Sequence, residues 1–257
     1  MQLSEINTWV LLRGLSREAQ HWGGFLSLCR NRFPHKNFIT LDLPGCGKFY
    51  QQASPLSIAG IRQHLEIQLL ECAEVNHGEP VGLIALSLGG MVALDWWSHD
   101  QQKIAAVVVM NSSANHNPLF WRFRPGALAH AFKAICSLSA YRREKHILRM
   151  VSQYYHSDAQ LIDEWQFIQK MRPVSLATFI RQLIAAARFS LPNNLPKTHG
   201  LVLASSNDQM VSSRCSKSIA AHYSWPLALN NLAGHEMTLD QPLWVVDQLE
   251  QWWNECS

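Results

Sequence analysis

A doubly wound, mainly parallel α/β sheet carrying an inserted helical lid is the architecture this sequence predicts, and three observations predict it. Short runs rich in branched and leucine side chains alternate with longer helical patterns. Those runs are continuously apolar rather than alternating, as a sheet covered on both faces requires. Residues 114–190 then break the rhythm with helical patterns and no convincing strand.

In chain order, "TWVLLRG" (8–14), "NFITLDLPG" (37–45), "VGLIALS" (81–87), "KIAAVVVMNSS" (103–113) and "THGLVLASSND" (198–208) read as buried strands. "WPLALNNLAGHE" (225–236) is a sixth, weaker one. Helical patterns fill 21–33, 57–75, 88–99, 213–223 and 240–254. Strands and helices at this spacing imply right-handed crossovers between parallel strands. Inside the insert, "SDAQLIDEWQFIQKM" (157–171) and "SLATFIRQLIAAARF" (175–189) open on capping Asp or Ser, and "RP" at 172–173 separates them. Residues 1–113 and 191–257 are therefore expected to form the core, with 114–190 as a lid over the sheet's carboxyl edge. The lid's Phe120, Trp121, Phe132, Met150, Trp165 and Phe167 are expected mainly in its own core, and any that face inward would make an apolar acyl pocket.

Composition narrows the function classes. Apolar residues make up 47% and DEKR 16%, enough for a sizeable core in a single large domain. A net charge of +3 with scattered basic residues gives no nucleic-acid surface. The densest basic patches, "RNR" (30–32) and "YRREKHILR" (141–149), read as solvated helix faces, although the second could meet an acidic carrier protein. Cysteines at 29, 46, 72, 136, 215 and 256 show neither CxxC nor metal-ligand spacing and read as reduced, mostly buried thiols. The start lacks signal-peptide features, and no apolar run reaches the ~18–20 residues of a membrane helix. The cytoplasm is the expected location, and no membrane span is expected.

The chemistry centres on "VGLIALSLGGMVAL" (81–94), where one serine interrupts an uncharged run. Ser87 falls where a strand ends and a helix begins, and small neighbours Ala85, Gly89 and Gly90 give room for a strained turn. The helix N-terminus there favours negative charge forming beside the serine. A serine hydroxyl needs a base to take its proton. Among twelve histidines, His235 in "LAGHEMTLDQPLW" (232–244) has the best context, on a Gly-led loop after the last strand. His21 and His116 are rivals, since each follows a strand at the same edge. The base needs an acid to fix its tautomer, and "SSND" delivers Asp208 beyond another strand end. Asp42 is the rival acid but reads as a turn-stabilising residue, and Asp95 should point away. A tetrahedral oxyanion needs two backbone donors. Leu88, after the serine, supplies one; Leu15 supplies the other, on a loop that Gly14 allows to turn.

The pieces "RG" (13–14), "DLPGCG" (42–47), "ALSLGG" (85–90), "SSND" (205–208) and "AGHE" (233–236), in this order, closely resemble the α/β-hydrolase superfamily. Within it the chain looks most like small lidded carboxylesterases of the pimeloyl-[acyl-carrier protein] methyl esterase type. The resemblance implies Ser87 as nucleophile, Asp208 as acid and His235 as base, with the Leu15 and Leu88 amides as oxyanion donors. It implies cleavage of a small-molecule acyl ester or thioester, free or carrier-bound, with no metal or organic cofactor. Acyl transfer, carbon–carbon bond hydrolysis and, less in keeping with a full set of three residues, non-catalytic ligand binding are the alternatives. Arg13 replaces the family's usual histidine and is expected to anchor its loop; recognition of a substrate carboxylate or phosphate is the sharper idea. Cys46 is expected to be a bystander.

Overall fold

Alternation along each central strand divides the core in two. Val10 and Leu12 of β1 (Thr8–Leu12) point to one side with Leu83 and Ala85 of β3 (Val81–Leu86), while Trp9, Leu11, Ile84 and Leu86 pack on the other. Successive strand side chains face opposite ways, so continuous apolarity means that both faces are covered. The other strands are β2 (Asn37–Leu41), β4 (Ile104–Met110), β5 (His199–Ser205) and β6 (Leu227–Asn230). The protein is described by a computed structural model covering residues 3–193 and 199–256. Thr198, expected to start the fifth strand, lies outside the described residues.

The six strands form one parallel sheet in the order β2-β1-β3-β4-β5-β6. Leu12 is level with Ala85, and Ala85 with Val109. The loops leaving β1, β3, β4 and β5 therefore share one rim, where open parallel sheets hold ligands. Helices α1 (Phe25–Arg32), α2 (Ile58–Glu71), α3 (Leu88–His99), α9 (Ser213–Tyr223) and α11 (Pro242–Glu255) cover the faces, with a short α10 at Met237–Asp240. The first expected helix starts later than its pattern, because Gly23 takes a positive φ of 51° between a 3-10 turn and α1.

Between β4 and β5 the described residues form five helices: α4 (Leu119–Arg122), α5 (Pro125–Ile135), α6 (Ala140–Val151), α7 (Ala159–Met171) and α8 (Leu176–Arg188). Asp158 caps α7 by accepting from the Leu161 amide, and Ser175 caps α8 from Thr178. Leu148, Val151, Ile162, Trp165 and Ile168 form the insertion's core, which continues into Met210, Val211 and Cys215 after β5. Of the aromatics expected in that core, Trp165 is buried there, whereas Phe120, Phe132 and Phe167 are exposed. Helical spacing locates a face but does not say whether anything covers it. Cysteines 29, 46 and 215 are buried, Cys136 is exposed, and none is in a disulfide.

Candidate active site

Ser87 sits between β3 and α3 with φ 57° and ψ −117°. A non-glycine residue there carries roughly 1–3 kcal/mol of strain, which the surroundings must offset. Its amide donates to the Met110 carbonyl at 2.8 Å, and its carbonyl accepts from Gly90 N at 2.9 Å and Ser112 Oγ at 2.8 Å. The turn also requires missing side chains. A Cβ on Gly89 would lie 2.5 Å from the Leu12 carbonyl oxygen, and one on Gly90 2.9 Å from Ser112. The same close packing brings Gly14 against the serine, since a Cβ there would be 3.2 Å from the Ser87 Cβ.

Asp208 and His235 meet across the rim. Nδ1 of His235 donates to Asp208 Oδ2 at 2.7 Å, and the other carboxylate oxygen accepts from the amides of Met210 (2.7 Å) and Val211 (2.9 Å). Burial pulls the imidazole towards neutrality, but the charge and hydrogen bond of Asp208, with Glu236 adding, hold its pKa above the ordinary value. With Nδ1 engaged, Nε2 is the nitrogen left for chemistry. His235 and Ser87 line the same cavity. No hydrogen bond joins these two side chains among the described residues.

Leu15 and Leu88 flank the serine, both lining the larger of two cavities that include Ser87. That cavity, about 490 Å³, is walled mainly by apolar residues of α3, α4, α5 and α8. The smaller, about 350 Å³, adds Arg17, Arg143, Glu144 and Gln169 to an otherwise largely apolar wall. Among the described residues no group of His, Cys, Asp and Glu is arranged to hold a metal ion.

The rivals take other places. Asp42 accepts from the amides of Ala19 and Lys48 and braces two loops, as its turn position suggests. Asp95 is paired with Arg62. His21 is buried beside Arg17 and Arg13, where desolvation and these cations hold it well below its ordinary pKa. His116 contacts Ser218 on the outside. Burial pushes the Cys46 thiol up to about 12, which removes the thiolate a nucleophile needs. Arg13 is buried against Glu236, an anchoring contact.

The sequence profile of the Alpha/beta hydrolase family matches residues 9–248, nearly the whole chain. The chain belongs to this family. Among curated proteins, none matches it. Solved structures agree on the fold of this alpha/beta hydrolase. An enol-lactonase from Burkholderia xenovorans superposes with TM-score 0.76 at 14% identity, covering 96% of this chain and 91% of that one. An esterase from Exiguobacterium antarcticum gives 0.75 at 17%, with 96% and 92% covered. A lipase-esterase related protein from Clostridium acetobutylicum gives 0.71 at 17%, with 96% and 94% covered.

Several supports of the site escaped the motif reading. Asn111, at φ 45° after β4, donates to the His235 carbonyl at 2.9 Å and accepts from Ser205 N at 2.8 Å. It ties the serine's neighbouring strand to the histidine loop. Asp240 accepts from Gly234 N at 2.7 Å and from Gln153 N at 2.9 Å, joining that loop to the end of α6. An Asn at a strand end is a visible signal; its partner more than 120 residues away is not.

Proposed function

We propose that this family member is a serine hydrolase of carboxylesterase type, cleaving a carboxylic ester or thioester through an acyl-serine intermediate. The observation that carries this reading is His235, held by the buried Asp208 at 2.7 Å, lining one cavity with a backbone-strained Ser87. Ser87 Oγ attacks the carbonyl carbon while His235 Nε2 takes its proton. Asp208 holds the ring and stabilises the imidazolium. The oxyanion is received by the amides of Leu15 and Leu88, neither of which has a hydrogen-bond acceptor among the described residues. The proton then passes to the leaving alcohol or thiol, and water, deprotonated by the same nitrogen, releases the acid.

Two cavities meeting at one serine suit the two halves of an ester. The apolar one fits an acyl chain; the smaller, with Arg17, Arg143 and Glu144, fits a more polar leaving group. Residues 114–190 act as the lid in this reading, over a core of 1–113 and 191–257. The finer likeness to pimeloyl-ester methyl esterases belongs to the same proposal, and acyl-length profiling on p-nitrophenyl esters addresses it. The central test is labelling by a fluorophosphonate read by intact mass. One adduct on the wild type and none on Ser87→Ala is expected; equal labelling of both would end the assignment.

A further inference from the structure

The cavities at Ser87 open on a face that is apolar and basic together. On α5, Leu128, Phe132 and Ile135 are exposed by 54%, 68% and 50%. On α8, Leu176, Ile180 and Leu183 repeat the same i, i+4, i+7 spacing and are exposed too. Each trio therefore occupies one side of its helix. Leu128 and Leu183 line the larger cavity, Ile135 and Leu176 the smaller, so the two stripes run antiparallel along both mouths. Leu119 and Phe120 extend the rim, and Leu138 stands fully exposed just beyond α5. Large apolar side chains gathered in this way mark a contact surface.

The charge around them is one-sided. Residues 119–151 contain seven Lys and Arg against a single acidic residue, Glu144, whereas the whole chain carries only +3. Glu144 is buried and committed to Arg17. Among the described residues no carboxylate lies within ion-pair distance of Lys133, Arg142, Lys145 or Arg149. The rings of His130 on α5 and His146 on α6 are 5.9 Å apart. Both are lowered in pKa, by burial first and then by charges that include Lys133 and Arg149, which places these two cations at one seam.

We propose that the face made by α5, α6 and α8 docks on an anionic lipid–water interface, its leucines and Phe132 entering the acyl layer and its cations meeting the headgroups. Binding of this kind combines apolar burial with attraction to anionic lipid and needs no spanning helix. A second copy is disfavoured because two such basic faces repel. An acyl carrier protein would meet the cations too, but its charged, hydrated surface offers less cover than an acyl layer to the exposed leucines and Phe132. The proposal goes beyond the acyl-serine reading and is tested without turnover.

The experiment is co-sedimentation of the full chain with phosphatidylcholine vesicles and with vesicles of phosphatidylcholine and phosphatidylglycerol in equal parts. Salt-sensitive binding to the mixed vesicles and little to the neutral ones is expected. Replacing three cations together (K133Q/R142Q/R149Q) should weaken binding about a hundredfold, each contributing roughly fivefold. Phe132→Ser should weaken it as well. None of these four residues lines either cavity or belongs to the buried core, so the thermal midpoint by circular dichroism should stay within a few degrees of wild type and reports that the variants fold. Equal binding to both vesicles, binding to neither, or a triple variant that binds like the wild type would overturn the proposal. Capture of an acidic carrier protein, or dimerisation lost in Phe132→Ser, in place of vesicle binding would overturn it too.

Discussion

Arg13 Nη2 donates to Glu236 Oε1 at 2.6 Å, joining the loop after β1 to the residue that follows His235. Both side chains are buried, and the guanidinium also lies over the Trp22 ring, 4.7 Å from its centroid. Burial lowers the Arg13 pKa while Glu236 opposes that shift. Removing one partner leaves the other charge desolvated and alone, which costs far more than the pair contributes. Glu236→Ala should therefore lose about 3–5 kcal/mol in urea denaturation, while Arg13→Met with Glu236→Leu should recover most of that. A single variant within about 0.5 kcal/mol of wild type, the range usual for inconsequential surface changes, would mean that the pair does not hold the two loops.

The pairing of His235 with Asp208 sets a pH dependence. In the proposed mechanism the base, His235, must be neutral; its pKa lies above the ordinary value of about 6.5, so kcat/KM should fall with acid through a midpoint above that value. In Asp208→Asn the burial effect loses its main opponent, and the midpoint should move below that of the wild type. Turnover should drop by about 10⁴, the scale seen when a triad acid loses its charge. The stability sign follows from the same raised value. This contribution is fully present below about pH 6.5 and is lost as pH rises through the folded pKa. An acid limb unmoved by the Asn substitution would detach Asp208 from the base.

Two glycines separate folding from chemistry. A Cβ on Gly89 would meet the backbone oxygens of Leu12 and Arg13 at 2.5 and 2.6 Å, and backbone cannot rotate away. Gly89→Ala should cost about 1–3 kcal/mol and lower activity together. On Gly14 the nearest atom is the Ser87 Cβ at 3.2 Å, a contact relieved by shifts of a few tenths of an ångström. Gly14→Ala should leave the thermal midpoint nearly unchanged but reduce kcat about tenfold or more, because the shift falls on the serine and the Leu15 amide. Equal stability losses in the two variants would refute the distinction.

Much of this was legible because it is local. Strand apolarity, the Ala-x-Ser-x-Gly turn, the Asp158 and Ser175 caps and the loop ends carrying Asp208 and His235 all depend on neighbours a few residues away. Glu236 followed His235 in plain sight, yet nothing local pairs it with Arg13. The exposed faces of α5 and α8 were equally opaque. Leu128, Phe132 and Ile135 have the spacing of a buried stripe, and only the packing of five helices leaves them uncovered. Partners distant in sequence, and the absence of a cover, are properties of the assembled fold.

The loop after β1, which carries the proposed oxyanion donor Leu15, is held from outside by the helical insertion at three consecutive residues. Ser16 N donates to Gln182 Oε1 of α8 at 2.9 Å, Arg17 pairs with Glu144 of α6 at 2.9 Å, and Glu18 accepts from Arg172 Nε, just after α7, at 2.7 Å. Ser16 has φ 57°, a conformation that needs such support, and it follows the Leu15 amide directly. Gln182 is fully buried and its Nε2 also reaches Cys46 Sγ at 3.4 Å. Gln182→Ala would leave the Ser16 amide without an acceptor, at about 1–3 kcal/mol, and free Leu15 to drift. Displacement of an oxyanion donor acts on the transition state more than on substrate binding, so kcat should fall about ten- to a hundredfold with KM changed by less than about threefold. Gln182→Glu keeps an acceptor for Ser16 and should retain more activity than the alanine variant. A rise in KM at constant kcat would instead place Gln182 in the pocket wall, with the loop geometry independent of the insertion.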